Sequence, residues 1–530
     1  MKDKKLVIAF FVLFYFVAFF TRLYWINQKE GFHLDETLSA MVFSNYHAGA
    51  EIELNNFFSG KEIKKIIFGN DGTVKGAIQN IRSLYEDNKD ASHTNLYYTF
   101  LRLSLLGLET SDMQQIFFRG AILNLILFSI SFVFFFLLVR LIFEDNFISL
   151  VAVFCAFMAT AAISNTLLMR PYQLQGTLFI IFAYFVFNGI NKTKIIQSKN
   201  KSFININLLF PISIVTAFTL LTGYYAIVYI FLFGLFIIWY NKIENNFNKE
   251  KLKQEFIFYG IALLLAFIIA QFLYTGYILG YTSSRSTGTL HTLISERGFL
   301  KNFYISIIAA LGILYRNYFV DTVLVTIIFL SYYLFTVRNK LDFTIKHIGL
   351  FLIAVTFTFI ITYIAPYKTL RYIMPIFPFL IILPIVLLQS IKKSNYKIFF
   401  SILLIISFTF SAYNEENIEF LYKNKAAEYK FAKEIELPVL MIVKEKEYWQ
   451  YGRILPFLDD EQKCIFAANI EDIDNSLKDF AEFNIVIHHY AISKVDIDMN
   501  KFTILSEYYI EHKESWYRNF FKCFKLKRLN

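Results

Sequence analysis

The sequence predicts a polytopic α-helical membrane protein carrying a small C-terminal α/β domain, and three observations predict it. Of 530 residues, 56% are hydrophobic and 18% charged, where a soluble domain holds roughly 45–50% and about 25%. The apolar residues form blocks long enough to cross a bilayer at about 1.5 Å per residue. After Ala412 the chain turns polar, and 413–530 holds no block of spanning length. A cytosolic enzyme, a disordered chain and a disulfide scaffold are excluded. Cys155 lies inside an apolar block, so at most Cys464 and Cys523 could pair.

The elements follow in order. Lys2, Lys4 and Lys5 precede an apolar run from Leu6 to Phe20 that continues through Leu23-Tyr24-Trp25 with no small-residue cleavage site, which reads as an uncleaved first helix. Further spans are expected at 116–139, 147–168, 172–190, 207–222, 224–240, 256–280, 318–337, 347–364, 372–390 and 397–412. The block 94–108 is short and interrupted by Arg102. If it does not cross, the loops carrying Lys192 to Lys201, Lys242 to Lys253, Arg338 to Lys346 and Lys392 to Lys397 all share the side of the N-terminal lysines. Lys and Arg concentrate on the cytoplasmic side, so about eleven spans are expected, with 94–108 a juxtamembrane helix on the outer face. The net charge of +10 has the same origin and does not point to nucleic acid.

This topology makes 1–412 the membrane domain, with a first outer loop over 27–115 and a longer outer loop over 281–317. The segment 413–530 becomes an extracytoplasmic domain, with strand character at 438–443 and 483–487.

The polar residues that could carry chemistry fall on the outer side. Asp35 and Glu36 open the first outer loop, and as helical neighbours they diverge, so only one can serve a given reacting atom. Read alone, they complement a helix dipole. His93-Thr94-Asn95-Leu96-Tyr97-Tyr98 follows, then Arg170-Pro171-Tyr172 at the start of one span, Tyr224 and Tyr225 at another, and Lys368 and Arg371 before Tyr372-Ile373-Met374-Pro375. Terminal Lys and Arg commonly snorkel to the interface; Arg also offers a fork matched to phosphate oxygens. Acids and phosphate-seeking cations on one membrane face suit an anionic, lipid-linked substrate.

An acidic pair in the first outer loop, a His-x-x-Leu-Tyr-Tyr helix, Arg-Pro-Tyr opening a span and Arg-Tyr-x-x-Pro opening a late span together resemble the GT-C glycosyltransferases, over roughly 1–400. The resemblance is to the bacterial relatives of protein mannosyltransferases and of the aminoarabinose transferase acting on lipid A. It implies an inverting transfer from a polyprenyl-phosphate-linked sugar to an acceptor hydroxyl of a glycan, lipid or protein in the cell envelope. The implied setting is the outer face of the bacterial cytoplasmic membrane, with the N-terminus cytoplasmic. Asp35 would be the general base and Glu36 would orient it. Arg371, with Lys368, would hold the lipid phosphate, and His93, Tyr97, Arg170, Tyr172, Tyr224 and Tyr372 would bind substrate. Where the group reads His-Pro-Pro or Lys-Pro-Pro, this chain reads His93-Thr94-Asn95. The polar stretch 45–92 is a place for acceptor specificity. No Trp-Trp-Asp run of the oligosaccharyltransferase kind occurs. No closed metal-site spacing is present, so no obligatory metal is expected, although a divalent ion fits the wider superfamily. The alternatives are a flippase or polymerase of surface polysaccharide, which would carry charges inside its spans, and a non-catalytic scaffold for lipid carriers.

Overall fold

The computed structural model describes residues 4–42, 52–86, 94–197, 206–244, 249–280, 299–319, 344–365, 367–422, 431–432, 437–443, 448–468, 477, 480–488, 501–511 and 519–529. The chain divides into two units. The first comprises Met1–Asn27, Tyr85–Tyr97 and Ala121–Glu419, the second Gln28–Leu84, Tyr98–Gly120 and Phe420–Asn530.

The first unit is helical and apolar. Among the described residues, seven helices have the length and composition to cross a membrane, among them α1 (Lys4–Gln28), α6 (Met113–Phe143) and α9 (Tyr172–Gln197), of which 172–191 qualifies. α1 leaves Ile8, Leu13, Phe16 and Phe20 about half exposed, an apolar face suited to lipid because its backbone hydrogen bonds are satisfied within the helix. By contrast α7 (Asn146–Met158) is buried continuously from Ile148 to Met158. It is followed, across a 54° bend at Ala159, by α8 (Thr160–Leu167). The bend frees the Phe157 carbonyl, and Arg22 of α1 takes it up. Its guanidinium donates to Phe157 O (2.8 Å), Ala18 O (2.9 Å) and Thr166 Oγ1 (3.1 Å), and lies 3.9 Å from the Phe128 ring centre.

The expected layout changes in three places. The 147–168 block is a bent pair rather than one straight helix. The 372–390 block is broken into two 3₁₀ turns and the short helices Phe377–Leu380 and Ile382–Gln389. Pro375, Pro378 and Pro384 each remove a backbone donor there. Within the expected outer loop 281–317 lies an apolar helix, Phe299–Leu314, continued by a π-helical turn. Its Leu300, Ile308 and Leu311 are exposed, so these residues form an apolar helix and not a loop. The total of eleven is not confirmed: among the described residues there are seven qualifying helices, or eight with the bent pair. The expected span 318–337 lies outside the described residues from 320 onward. The block 94–108 does not cross; it forms the short helix α5 (Leu96–Ser104).

The second unit is built on a six-stranded sheet ordered β1-β3-β2-β4-β6-β5. β2 (Val439–Ile442) pairs in parallel with β3 (Lys463–Ala467) and β4 (Glu482–His488), while β6 (Asn519–Arg528) runs antiparallel to β4 and to β5 (Phe502–Glu511). Central parallel strands are buried on both faces, and every residue of β2 is buried. The strand expectations at 438–443 and 483–487 match β2 and β4. The edge strand β1 (Phe57–Ser59) comes from the expected first outer loop, so the sheet combines that loop with 413–530. The same loop contributes α2 (Leu34–Met41) and α3 (Gly60–Phe68), the latter opened by a Ser59/Glu62 capping box. Lys64 of α3 pairs with Asp460 and donates to Leu458 O.

Two further expectations change. Cys464 on β3 and Cys523 on β6 are free and buried, with β2 and β4 between them. Strand spacing puts them roughly 14 Å apart, beyond disulfide reach. Arg102 of α5 is wholly buried instead of lying at headgroup level. It donates to Asp71 (2.8 Å) and to Asn80 (2.8 Å), so its charge is neutralised within the unit.

Candidate active site

The acidic motif sits at the start of α2 in the second unit. His33 is the N-cap, with φ −69° and ψ 147°. Its backbone N–H donates to Glu36 Oε2 (2.8 Å), and its Nδ1 accepts the Asp35 N–H (3.0 Å). Since Nδ1 accepts, the neutral ring carries its proton on Nε2. Glu36 is fully buried, and Lys29 Nζ donates to it at 2.9 Å and to Phe420 O at 2.7 Å. The bonds from the His33 N–H and from Lys29 Nζ both converge on Glu36 Oε2, one of them charge-assisted, and tie the carboxylate into the fold. The Asp35 side chain keeps 19% of its surface accessible; its Oδ2 is 3.6 Å from His33 Nδ1, too far for a hydrogen bond. The pair therefore splits into a structural carboxylate and an accessible one, as the helical divergence of neighbours requires.

Residues that motif reading missed complete this environment. Phe420 and Tyr422 both take left-handed backbone conformations, φ 70° and 51°, which are costly for residues with side chains and gather at functional sites. The Tyr422 ring lies 5.3 Å from Lys29 Nζ and 5.5 Å from Arg453 Cζ. Gly31 is required here: a Cβ on it would come within 2.8 Å of Tyr422 Cβ. Phe32 stacks on Phe457 at 5.6 Å. Only the fold reveals these neighbours, because Tyr422 and Arg453 come from distant segments and Lys29, a few residues before the motif, carries no marker of its role.

The basic motifs lie in the first unit. Arg170, 2% exposed, occupies the connection from α8 to α9, and Tyr172 begins α9. The Tyr172 ring meets the Tyr372 ring edge-to-face at 5.9 Å, and Tyr225 meets the same ring at 5.7 Å. Arg371 reaches back over Tyr372, with Cζ 5.0 Å from the ring centre and Nη2 donating to its hydroxyl at 3.2 Å. The turn thus holds one guanidinium beside three tyrosines. Tyr224, the expected ligand, instead stacks on Tyr277 at 6.0 Å; its neighbour Tyr225 joins the cluster.

Lys368 behaves differently from Arg371. Its ammonium donates to Thr362 O (2.6 Å) and Tyr363 O (3.5 Å), carbonyls of the last turn of helix Ile345–Ile364. A cation there complements the helix dipole, and burial pulls its pKa below the usual lysine value. Tyr97 is buried and donates to Asn124 Oδ1 (3.2 Å); Asn124 in turn donates to Thr166 O and Leu168 O at the end of α8. Tyr97 therefore supports the turn leading into Arg170. His93 and the polar loop residues Arg285, His291, Glu296 and Arg297 lie outside the described residues. Among the described residues, no group of three or more His, Cys, Asp or Glu could hold a metal ion.

No family model and no curated protein matches the chain. Among solved structures, the chain is similar to ArnT from Cupriavidus metallidurans bound to undecaprenyl phosphate, with 10% identity, 97% of each chain covered and a TM-score of 0.53. Lower similarities are to the apo state of that protein (11% identity, 97% of each chain, TM-score 0.48) and to an oligosaccharyltransferase from Archaeoglobus fulgidus tethered to an acceptor peptide. The latter has 10% identity, 92% of this chain and 70% of that one covered, and a TM-score of 0.47. At such identity the likeness to ArnT establishes a shared fold. It is the GT-C fold that the four motifs implied.

Proposed function

We propose that this protein transfers a sugar from a polyprenyl-phosphate carrier to an acceptor hydroxyl of the cell envelope, at the outer face of a bacterial cytoplasmic membrane. The observation that carries this reading is the division of the Asp35–Glu36 pair. Glu36 is held by Lys29 and the N-cap, while Asp35 keeps part of its side chain accessible on the same capped turn. A carboxylate so held suits a general base. The shared fold with an ArnT that binds undecaprenyl phosphate supports the donor class.

In the proposed reaction Asp35 takes the proton from the acceptor hydroxyl as that oxygen attacks the anomeric carbon. The bond from the anomeric carbon to the phosphate oxygen breaks on the opposite face, so the sugar inverts. The electron pair leaves with the polyprenyl phosphate, and Arg371 stabilises the charge that grows there. The Tyr172, Tyr225 and Tyr372 rings supply apolar faces against which the donor packs.

A transport protein is the rival reading that calls for charge inside a span. Arg22 is such a charge, but each of its three side-chain nitrogens donates within the fold, to two backbone carbonyls and Thr166. It braces a helix break and does not present itself to a passing ion or lipid.

The test is transfer and donor hydrolysis by purified protein in nanodiscs supplied with undecaprenyl-phosphate hexoses. Asp35→Asn is expected to lose turnover by about 10²–10⁴-fold while retaining lipid binding. Equal turnover in both proteins rejects the base assignment, and a wild type that binds no polyprenyl phosphate rejects the enzyme reading.

A further inference from the structure

Asn165 is the second group that the donor site would need, and no motif marks it. It lies on α8, 5% exposed, and its amide nitrogen points to Tyr172 O at 3.4 Å. That contact fixes the orientation of the amide, since only the NH₂ end can donate to a carbonyl. The buried Oδ1 then accepts no hydrogen bond from any described residue. Leaving such an acceptor unmet costs on the order of 1–3 kcal/mol, so its persistence calls for an occupant. The neighbourhood is the aromatic cluster: Asn165 reaches the backbone of Tyr172, whose ring touches Tyr372. A Cβ on Gly176 would lie 3.3 Å from Pro375 Cα and 3.5 Å from Asn165 Nδ2.

The Thr369 hydroxyl is the complementary case. Thr369 stands at the N-cap of the 3₁₀ turn Leu370–Tyr372 but makes no capping bond, and its buried Oγ1 has no partner among the described residues. An acceptor-only oxygen repels a phosphate, whereas a hydroxyl beside Arg371 can donate to one.

We infer that Asn165 selects the sugar of the donor by accepting a hydrogen bond from one of its hydroxyls, while Thr369 joins Arg371 on the phosphate. This rests on the polyprenyl-phosphate reading above. The assay is calorimetric binding to protein in nanodiscs of undecaprenyl phosphate and of its glucose, mannose and galactose conjugates. Monodeoxy analogues of the best-bound conjugate follow.

Wild type is expected to bind one conjugate more tightly than the bare lipid phosphate. Asn165→Leu should lose that preference, on the order of tenfold, with bare-lipid affinity unchanged. Thr369→Val should weaken both ligands equally. In wild type a single deoxy position should account for the preference, so the idea is tested even if Asn165→Leu does not fold. Three results overturn it: no conjugate preferred in wild type, a preference that survives in Asn165→Leu, which would make the occupant water, or equal loss for both ligands in that variant. Wild type that fails to bind bare undecaprenyl phosphate rejects the underlying function instead.

Discussion

The acidic turn of the second unit and the basic turn of the first are built alike. Each carries two like charges close in sequence, and in each the fold consumes one. Glu36 is buried against Lys29 and closes the N-cap, leaving Asp35. Lys368 closes the last turn of helix Ile345–Ile364, leaving Arg371 over Tyr372. The difference lies in how they are consumed. The Glu36–Lys29 pair is wholly buried, so breaking it strands a charge. Lys368 is partly accessible and meets only carbonyls, so its loss costs a cap. A charged motif is thus two residues with separate surroundings, and burial tells them apart.

Mutations can break this comparison. The largest effect is expected at Asp35→Asn, with turnover down about 10²–10⁴-fold and the thermal midpoint held. Next is Arg371→Gln, which should lower turnover by about 10²-fold or more and weaken undecaprenyl phosphate binding; unchanged lipid binding would remove Arg371 from the site. Lys29→Met should destabilise the protein by about 3–5 kcal/mol in denaturant unfolding, and Lys29→Met with Glu36→Met should recover most of that. If the single variant is as stable as wild type, Glu36 is not held as described.

Lys368→Met sharpens the contrast. It should cost roughly 1 kcal/mol and leave turnover within about threefold, and a loss matching that of Arg371→Gln would make both cations catalytic. The smallest effect concerns Asp71. Partial desolvation raises its pKa, but hydrogen bonds from Thr73 and the Arg102 charge outweigh this and hold it below the usual carboxylate range. A folded pKa below the unfolded one contributes stability that is complete above about pH 4 and lost as pH falls through the folded value. Asp71 is half exposed, so the loss should stay within about 1 kcal/mol, read as a fall in thermal midpoint on acidification that Arg102→Met flattens.

Much of the fold was legible because bilayers impose simple rules. Block length located α1, α6, α9 and most later helices, and strand character located β2 and β4. Breaks were harder to read. The 372–390 prolines were visible, but the bend at Ala159 has no sequence marker and is braced by Arg22, a tertiary contact. Phe299–Leu314 is hard to read because Lys301 sits in its first turn and Arg316 just past its end. β1 was unreadable, since a three-residue edge strand depends on its partner β3. At the site, divergence of helical neighbours correctly demanded that Asp35 and Glu36 differ, but not which was buried. Tyr422 and Arg453 lacked any motif, being recruited from far along the chain, and Lys29 stood just ahead of the acidic pair without a marker of its role.

The most direct measurement is sugar transfer per folded molecule for Asp35→Asn beside Glu36→Gln, with folding followed by thermal unfolding in the same preparations. The account predicts that Asp35→Asn is stable and inactive, while Glu36→Gln is destabilised yet turns over within a few-fold of wild type once corrected for the folded fraction. A stable, inactive Glu36→Gln beside an active Asp35→Asn would contradict it and exchange the roles of the two carboxylates.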